Sequence, residues 1–302
     1  MDLLNQLGFD AAVLHKRSSY RAHWFQNRTR LAAARDVVLT DQDVLVVPEI
    51  YGGKLSSLAG GPRIVVLNQG AYYTFAGIPL EEAAKLRDFP IEAILTVSED
   101  SLRLLGAVFE NTPIHHVRSV IDGLVFHPPA AGEGRRRLAY VTSRRSIERG
   151  HVLGALAIRG RLKGWETVAI EALSEQEVAA ALRSSAIFLS FSQLDGFGLP
   201  PVEAMACGCY VVGFHGQGGQ EYFDPAYSHP VPDADVLAFV RAVEDAAVAY
   251  DCDPVPLTRA GLEASKTVLE RYNEAGLRDD LSAFCQSLGL EPGASAEVPT
   301  NP

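Results

Sequence analysis

The chain has 302 residues, 47% of them hydrophobic, four cysteines and a formal net charge of −10. That length and apolar content can bury one large core or two ordinary ones, and two domains are expected. The negative charge excludes nucleic acid as a partner, because its phosphates would be repelled; no cysteines form a C-x-x-C pair, which excludes a zinc or disulfide framework and suits the cytoplasm.

In chain order, 1–7 reads as a short amphipathic helix stopped by Gly8, and 10–15 (DAAVLH) as a strand. The basic and aromatic stretch 15–30 centres on Trp24 and Phe25. A solvated loop pinned by an aromatic anchor is favoured there over an acceptor surface. Asp41-Gln42-Asp43 has D-x-D spacing but precedes an apolar run, so a turn or cap is expected and not a metal site. Val44 to Pro48 and Ile64 to Leu67 read as buried strands, followed by the loops PEIYGGK and NQGAYYTF. Loops at the carboxyl ends of parallel strands open on a crevice, which makes Glu49, Asn68, Gln69, Tyr72 and Tyr73 candidates for contact with an acceptor. Ile94 to Val97 is a further strand, and Ser98, Glu99 and Asp100 form a good helix start. His115 and His116 are adjacent, so on a strand they face opposite sides and do not make a metal pair.

The second half opens with a strand over Leu138 to Thr142. Between Arg135 and Lys163 there are nine Lys/Arg and only Glu148 as an acid. Arg135, Arg136, Arg159 and Arg161 fit a solvated basic face, whereas Arg144 and Arg145 lie just past the strand's carboxyl end. Thr167 to Ile170 reads as a strand, and Ser174 with Glu177 is a capping box opening a helix. VLAFVRAVEDAAVAY is an amphipathic helix, and 257–288 continues helical with a break near Asn273 to Gly276. The polar, proline-rich tail is expected to be disordered.

The stretch 187–223, IFLSFSQLDGFGLPPVEAMACGCYVVGFHGQGGQEYF, contains one design twice: apolar strand, glycine loop, helix start. Two such units imply neighbouring parallel strands whose loops share a crevice. Glycine amides and helix N-termini there suit a ligand rich in oxygen or negative charge. Pro201 fits a first helical position, which puts Glu203 in the first turn. Asp195 and Glu203, eight positions apart, can border one pocket, where carboxylates accept hydrogen bonds from sugar hydroxyls. Cys207 and Cys209, either side of Gly208, fit a packed, inert role.

DGFGLPPVEAMACG followed by GQGGQEYF resembles the donor-site signature of retaining glycosyltransferases with the GT-B fold (glycosyl transferases group 1), the group that includes glycogen synthases, sucrose synthases and bacterial mannosyltransferases. The resemblance implies two Rossmann-like α/β domains facing a cleft, with 1–128 on the acceptor side, 129–289 on the donor side and 290–302 as the tail. Asp122-x-x-x-Phe126-x-Pro128 is similar to the group's interdomain linker, and a terminal helix often braces the first domain. A strand and glycine-rich loop normally open such a chain; none precedes 10–15, so the first domain is expected to be incomplete. The resemblance assigns donor binding to Phe197, Gly198, Leu199, Glu203, Gly218, Gly219 and Glu221, with Glu203 on the ribose and the loop amides near sugar and diphosphate. Asp195 stands where the group usually has Glu on the transferred sugar. Arg144 or Arg145 would stabilise the leaving diphosphate in place of a metal. No cofactor is expected. The implied activity is retaining transfer from a nucleotide-diphosphate sugar to a saccharide or lipid-linked acceptor, in polysaccharide biosynthesis by analogy, with peripheral membrane association possible. Alternatives are a non-catalytic nucleotide-sugar-binding relative or partner subunit, and a GT-B nucleotide-sugar epimerase.

Overall fold

The computed structural model describes residues 1–17, 20, 27–58, 61–76, 79–87, 89–130 and 135–293. Trp24, Phe25 and the end of the tail lie outside the described residues. The elements of the first half are α1 (Asp2–Gln6), β1 (Val13–His15), β2 (Leu31–Ala33), β3 (Val44–Pro48), β4 (Arg63–Asn68), α2 (Leu80–Leu86), β5 (Ile91–Thr96), α3 (Glu99–Val108) and β6 (Ile114–His116). Those of the second are β7 (Arg137–Val141), α4 (Ser146–Arg159), β8 (Glu166–Ile170), α5 (Glu175–Arg183), β9 (Ile187–Asp195), α6 (Leu199–Ala206), β10 (Tyr210–Gln217), β11 (Ser228–Pro230), α7 (Val236–Cys252), α8 (Pro254–Arg271) and α9 (Glu274–Ser287).

Two parallel α/β sheets result, as expected for GT-B. The first has order β3-β4-β5-β6 and winds in one direction. β1 pairs only with β2, in parallel, as a separate two-stranded sheet. The second sheet has order β11-β10-β9-β7-β8, so the winding reverses between β7 and β9. Loops leaving those two strands diverge to opposite faces and open a crevice between them. Six consecutive residues of β9, Ile187 to Ser192, are buried, as a central parallel strand covered on both faces requires.

One face of the second sheet packs Phe188, Met205, Val211 and Val268 with Ile121 and Phe126 of the linker. Its other face stacks Phe191 and Phe214 on Phe239 of α7, at ring distances of 4.9 and 5.0 Å. A fully buried side chain of this size contributes about 1.5–3 kcal/mol. The terminal helix α9 packs Phe284, Cys285 and Leu288 against Val65, Ala93 and Leu95 of the first sheet. Arg118 fixes it there through two hydrogen bonds to Asp280, of 2.7 and 2.9 Å.

One local expectation needs revision and others hold. Arg135 is not on a solvated face: it is 7% exposed, and its guanidinium donates to the oxygens of Ser185 and Gly208, each at 3.2 Å. Those carbonyls lie just past α5 and α6, so two helix C-terminal dipoles face this cation. Arg159 and Arg161 both pair with the buried Glu244. The Asp41–Asp43 turn closes on itself, the Asp43 carboxylate accepting from the Thr40 amide and hydroxyl. Cys207 and Cys209 are buried, and burial pushes the Cys207 thiol up to about 12, so it stays protonated and inert.

Candidate functional site

The crevice between β7 and β9 is built under backbone strain. Arg145, Leu194 and Gln217 follow or end β7, β9 and β10, and have φ of 38°, 46° and 70° without being glycine. Such residues cost about 1–3 kcal/mol each and persist where surroundings over-determine them. For Arg145 the surroundings are explicit. Its guanidinium donates to the Ser192 oxygen at 3.0 Å and to Glu148 at 3.0 Å, also pairs with Asp233, and lies 4.8 Å from the centre of the Phe214 ring. Arg145 therefore locks its loop to β9 and β10. Its neighbour Arg144 turns the other way, with Nε 3.3 Å from the Asp195 carboxylate and about half its side chain exposed. Only the arginine side of this pair is wet: the Asp195 side chain is 8% exposed, so an anion that draws Arg144 away leaves a buried carboxylate in need of a new donor. Arg149, which the sequence reading missed, donates from α4 to the oxygens of Thr142 and Arg144 and holds this loop from below.

The loop after β9 is gripped on both sides. A methyl group on Gly196 would sit 1.7 Å from the Gln69 oxygen, and one on Gly218 2.2 Å from the Gly196 oxygen. Only glycine allows these approaches. Gly198 has φ of 89° and caps α6. The helix begins at Leu199, so Pro200 and Pro201 occupy its second and third positions and Glu203 falls in the second turn, not the first. The first helical amides have no intrahelical partner. With prolines in two of those places, the amide donors that remain at this terminus are those of Gly198 and Leu199. The Phe197 ring points away from the crevice. It is buried edge-on against Tyr222 and Tyr272 at 5.2 and 4.9 Å, and the Tyr222 hydroxyl lies 2.7 Å from the Gly198 oxygen.

Glu203 has no hydrogen-bonded partner for its carboxyl group among the described residues. Burial, then repulsion from Glu175, pushes it up to about 7. His215, on β10, accepts from the Gln217 amide on Nδ1 at 3.1 Å, and burial lowers its pKa. The neutral ring then carries its proton on Nε2.

The loop after β10 runs Gly218–Glu221 as a 3-10 turn, and no α-helix starts there. The nearly buried Glu221 carboxylate accepts from the Glu99 amide at the start of α3 (2.7 Å) and from the Tyr272 hydroxyl (2.8 Å). Arg271 ties it further, donating to the Glu221 oxygen at 2.7 Å and to Glu99 at 2.6 Å. Glu221 thus joins the two halves of the molecule, while Gly218 packs against Gly196 and Gly219 against Tyr222.

The first sheet sorts the acceptor-side candidates. Glu49 and Asn68 are buried, at 5% and 1% exposure, and line a cavity of about 20 Å³ with Thr74. Burial raises the Glu49 carboxyl, while hydrogen bonds from the amides of Gln69 and Gly70 oppose that rise. Asn68 donates to the Thr74 hydroxyl at 2.5 Å. The Tyr72 hydroxyl donates to Asp100 at 2.9 Å. Gln69 remains exposed, and Tyr73 beside it is 46% exposed. Among the described residues, no three His, Cys, Asp or Glu side chains converge to hold a metal ion, and no helix is long and apolar enough to cross a membrane.

Residues 164–247 match the family model described as Glycosyl transferases group 1. An alpha-1,6-glucosyltransferase of Actinobacillus pleuropneumoniae serotype 7 is 26% identical over 219 residues, which are 70% of this chain and 66% of that protein. The sucrose-phosphate synthase of Thermosynechococcus elongatus superimposes with a TM-score of 0.62 at 15% identity, covering 82% of this chain and 73% of that one. Anabaena Alr3699/HepE in complex with UDP-glucose superimposes with a TM-score of 0.60 at 12% identity, covering 80% and 78%.

Proposed function

We propose that this chain, which has the GT-B fold and a match to Glycosyl transferases group 1 over 164–247, transfers a sugar from a nucleotide diphosphate to an acceptor hydroxyl. The donor is bound by the second sheet. Glu203 accepts from the ribose hydroxyls, the amides of Gly198, Leu199, Gly218 and Gly219 meet the sugar-diphosphate, and Arg144 neutralises the diphosphate without a metal. UDP-glucose is the first donor to test, because HepE is described in complex with it and the Actinobacillus relative is named a glucosyltransferase.

The observation that carries this reading is the Arg144–Asp195 pair at the winding reversal. In transfer, the bond from the anomeric carbon to the diphosphate oxygen breaks and that oxygen keeps the electron pair. Arg144, released from Asp195, meets the growing charge. The acceptor oxygen bonds to the same face of the anomeric carbon, and its proton leaves on the departing diphosphate, giving retention. Asp195, freed from its partner, accepts from a hydroxyl of the transferred sugar.

Removing one preorganised donor at developing charge costs about 3–4 kcal/mol. Arg144→Ala is therefore expected to lower turnover of UDP-glucose by roughly 10²- to 10³-fold, the range for such a donor. Calorimetry with UDP and turnover assays over a donor panel test it together. UDP binding without turnover of any donor would favour a non-catalytic binder.

A further inference from the structure

We propose that Tyr73 and Gln69 form the acceptor subsite, and that it takes the flat face of a pyranose ring. This rests on the donor reading above, because it is the position of the donor loop that gives these two residues a partner. The acceptor hydroxyl must reach an anomeric carbon held near Asp195 and Gly198. From the first sheet, the Gln69–Gly70 turn meets that loop: a methyl group on Gly70 would lie 3.6 Å from the Gly196 Cα, and one on Gly196 overlaps the Gln69 oxygen.

The Tyr73 ring is laid against the same turn. A methyl group on Gly70 would come within 2.8 Å of its Cδ2 and 3.0 Å of its Cε2, and the Tyr73 amide donates to the Gly70 oxygen at 2.9 Å. Gly70 is thus the seat that lets the Cδ2–Cε2 edge of the ring lie against the backbone. The ring stays half exposed, and its hydroxyl has no hydrogen-bond partner among the described residues, unlike that of Tyr72.

An open aromatic face beside an exposed carboxamide is amphipathic in the way a sugar is. The apolar C–H face of a pyranose covers the ring while its rim hydroxyls reach the Gln69 amide and the tyrosine hydroxyl. A lipid or peptide side chain would leave that amide facing apolar surface without a partner, which is costly. The subsite therefore selects a saccharide acceptor.

Saturation-transfer NMR with methyl glucopyranoside, galactopyranoside and mannopyranoside, run with and without UDP, tests the subsite. At least one glycoside is expected to receive transfer at its ring C–H protons. Tyr73→Ala should weaken that binding about three- to tenfold, the range for an aromatic contact. Tyr73→Phe, which keeps the ring and loses one hydrogen bond, should weaken it less than Tyr73→Ala, Gln69→Ala should weaken it, and all three variants should bind UDP as the wild type does. Equal binding by wild type and Tyr73→Ala, or transfer to none of the glycosides, would overturn the assignment. Failure of wild type to bind UDP is read in a separate titration and counts against the donor reading.

Discussion

On the proposed donor reading, Glu203 sets the function of the site against the stability of the empty protein, and replacing it with Gln separates the two. Its carboxyl group is pushed from an ordinary 4.5 to about 7, by burial first and by Glu175 second. At 1.36 kcal/mol per pH unit, that corresponds to about 3 kcal/mol between its protonated and ionised forms, as an upper figure for a side chain with some solvent contact. Because the folded value lies above the unfolded one, the favourable contribution is complete below pH 4.5. It is lost as pH rises through 7. Glu203→Gln should therefore match wild type in stability near pH 4.5 and exceed it near pH 8 by up to about 3 kcal/mol. For a domain of this size that is roughly 6–12 °C of melting temperature. Nucleotide binding should move the opposite way. Hydrogen bonds to a charged acceptor are worth about 1.5–3 kcal/mol, so UDP affinity at pH 8 should fall roughly 10- to 150-fold. Wild-type affinity should also rise through pH 7 relative to the variant, a ratio in which the titration of UDP itself cancels. Calorimetric melting and UDP titration across pH 5 to 8 measure both effects. Identical melting curves at pH 8 would refute the burial argument, and unchanged UDP affinity would refute the ribose assignment.

Two substitutions test how the halves meet. Gly196→Ala places a methyl group on the Gln69 oxygen, an overpacking that costs about 1–3 kcal/mol or more, and is expected to push the halves apart. Small-angle scattering should show a larger radius of gyration, and an unchanged profile would contradict the close approach. Glu221→Gln leaves Arg271, which is 40% exposed and keeps Glu99, short of one carboxylate and weakens the cap on α3, a loss of about 1.5–3 kcal/mol for hydrogen bonds to a charged group. Turnover at saturating donor should drop while UDP affinity holds; a drop in UDP affinity alone would return Glu221 to the donor.

Much of the fold was legible because parallel strands buried on both faces leave continuous apolar runs, as at β4 and β9. Caps were legible for the same local reason: Ser98 accepts from the Ser101 amide, and Ser174 with Glu177 closes the box. The helix at α2, the short strand β11 and the 3-10 turns were not, because segments this short carry too few turns for a period to show. Arg135 was misplaced for a different reason. Its partners are carbonyls past the ends of two helices, and a local window shows only a run of basic residues. The break of 257–288 near Asn273 was visible, and there Asn273 caps α9 by accepting from the Gly276 amide.

At the site, residue type was readable but direction was not. Arg144 and Arg145 are chemically alike and adjacent, yet a left-handed backbone at Arg145 buries one guanidinium and leaves the other beside Asp195. The glycine motifs have the same two-sided character. On the donor reading proposed above their backbone amides meet the ligand, while Phe197, Tyr222 and Glu221 from the same segments face inward and join Tyr272. The division has a physical cause. An amide free to bind an anion has no partner in the empty protein, so nothing on the crevice side holds its loop in place. The loop must be fixed from behind, by aromatic packing and by a carboxylate that reaches the other half of the molecule. A motif that binds a diphosphate through glycine amides therefore needs bulky or charged neighbours whose own side chains never touch the ligand. On the proposed donor reading, Glu221 then serves the site through position and Glu203 through contact, although the sequence presents both as acids following glycine loops.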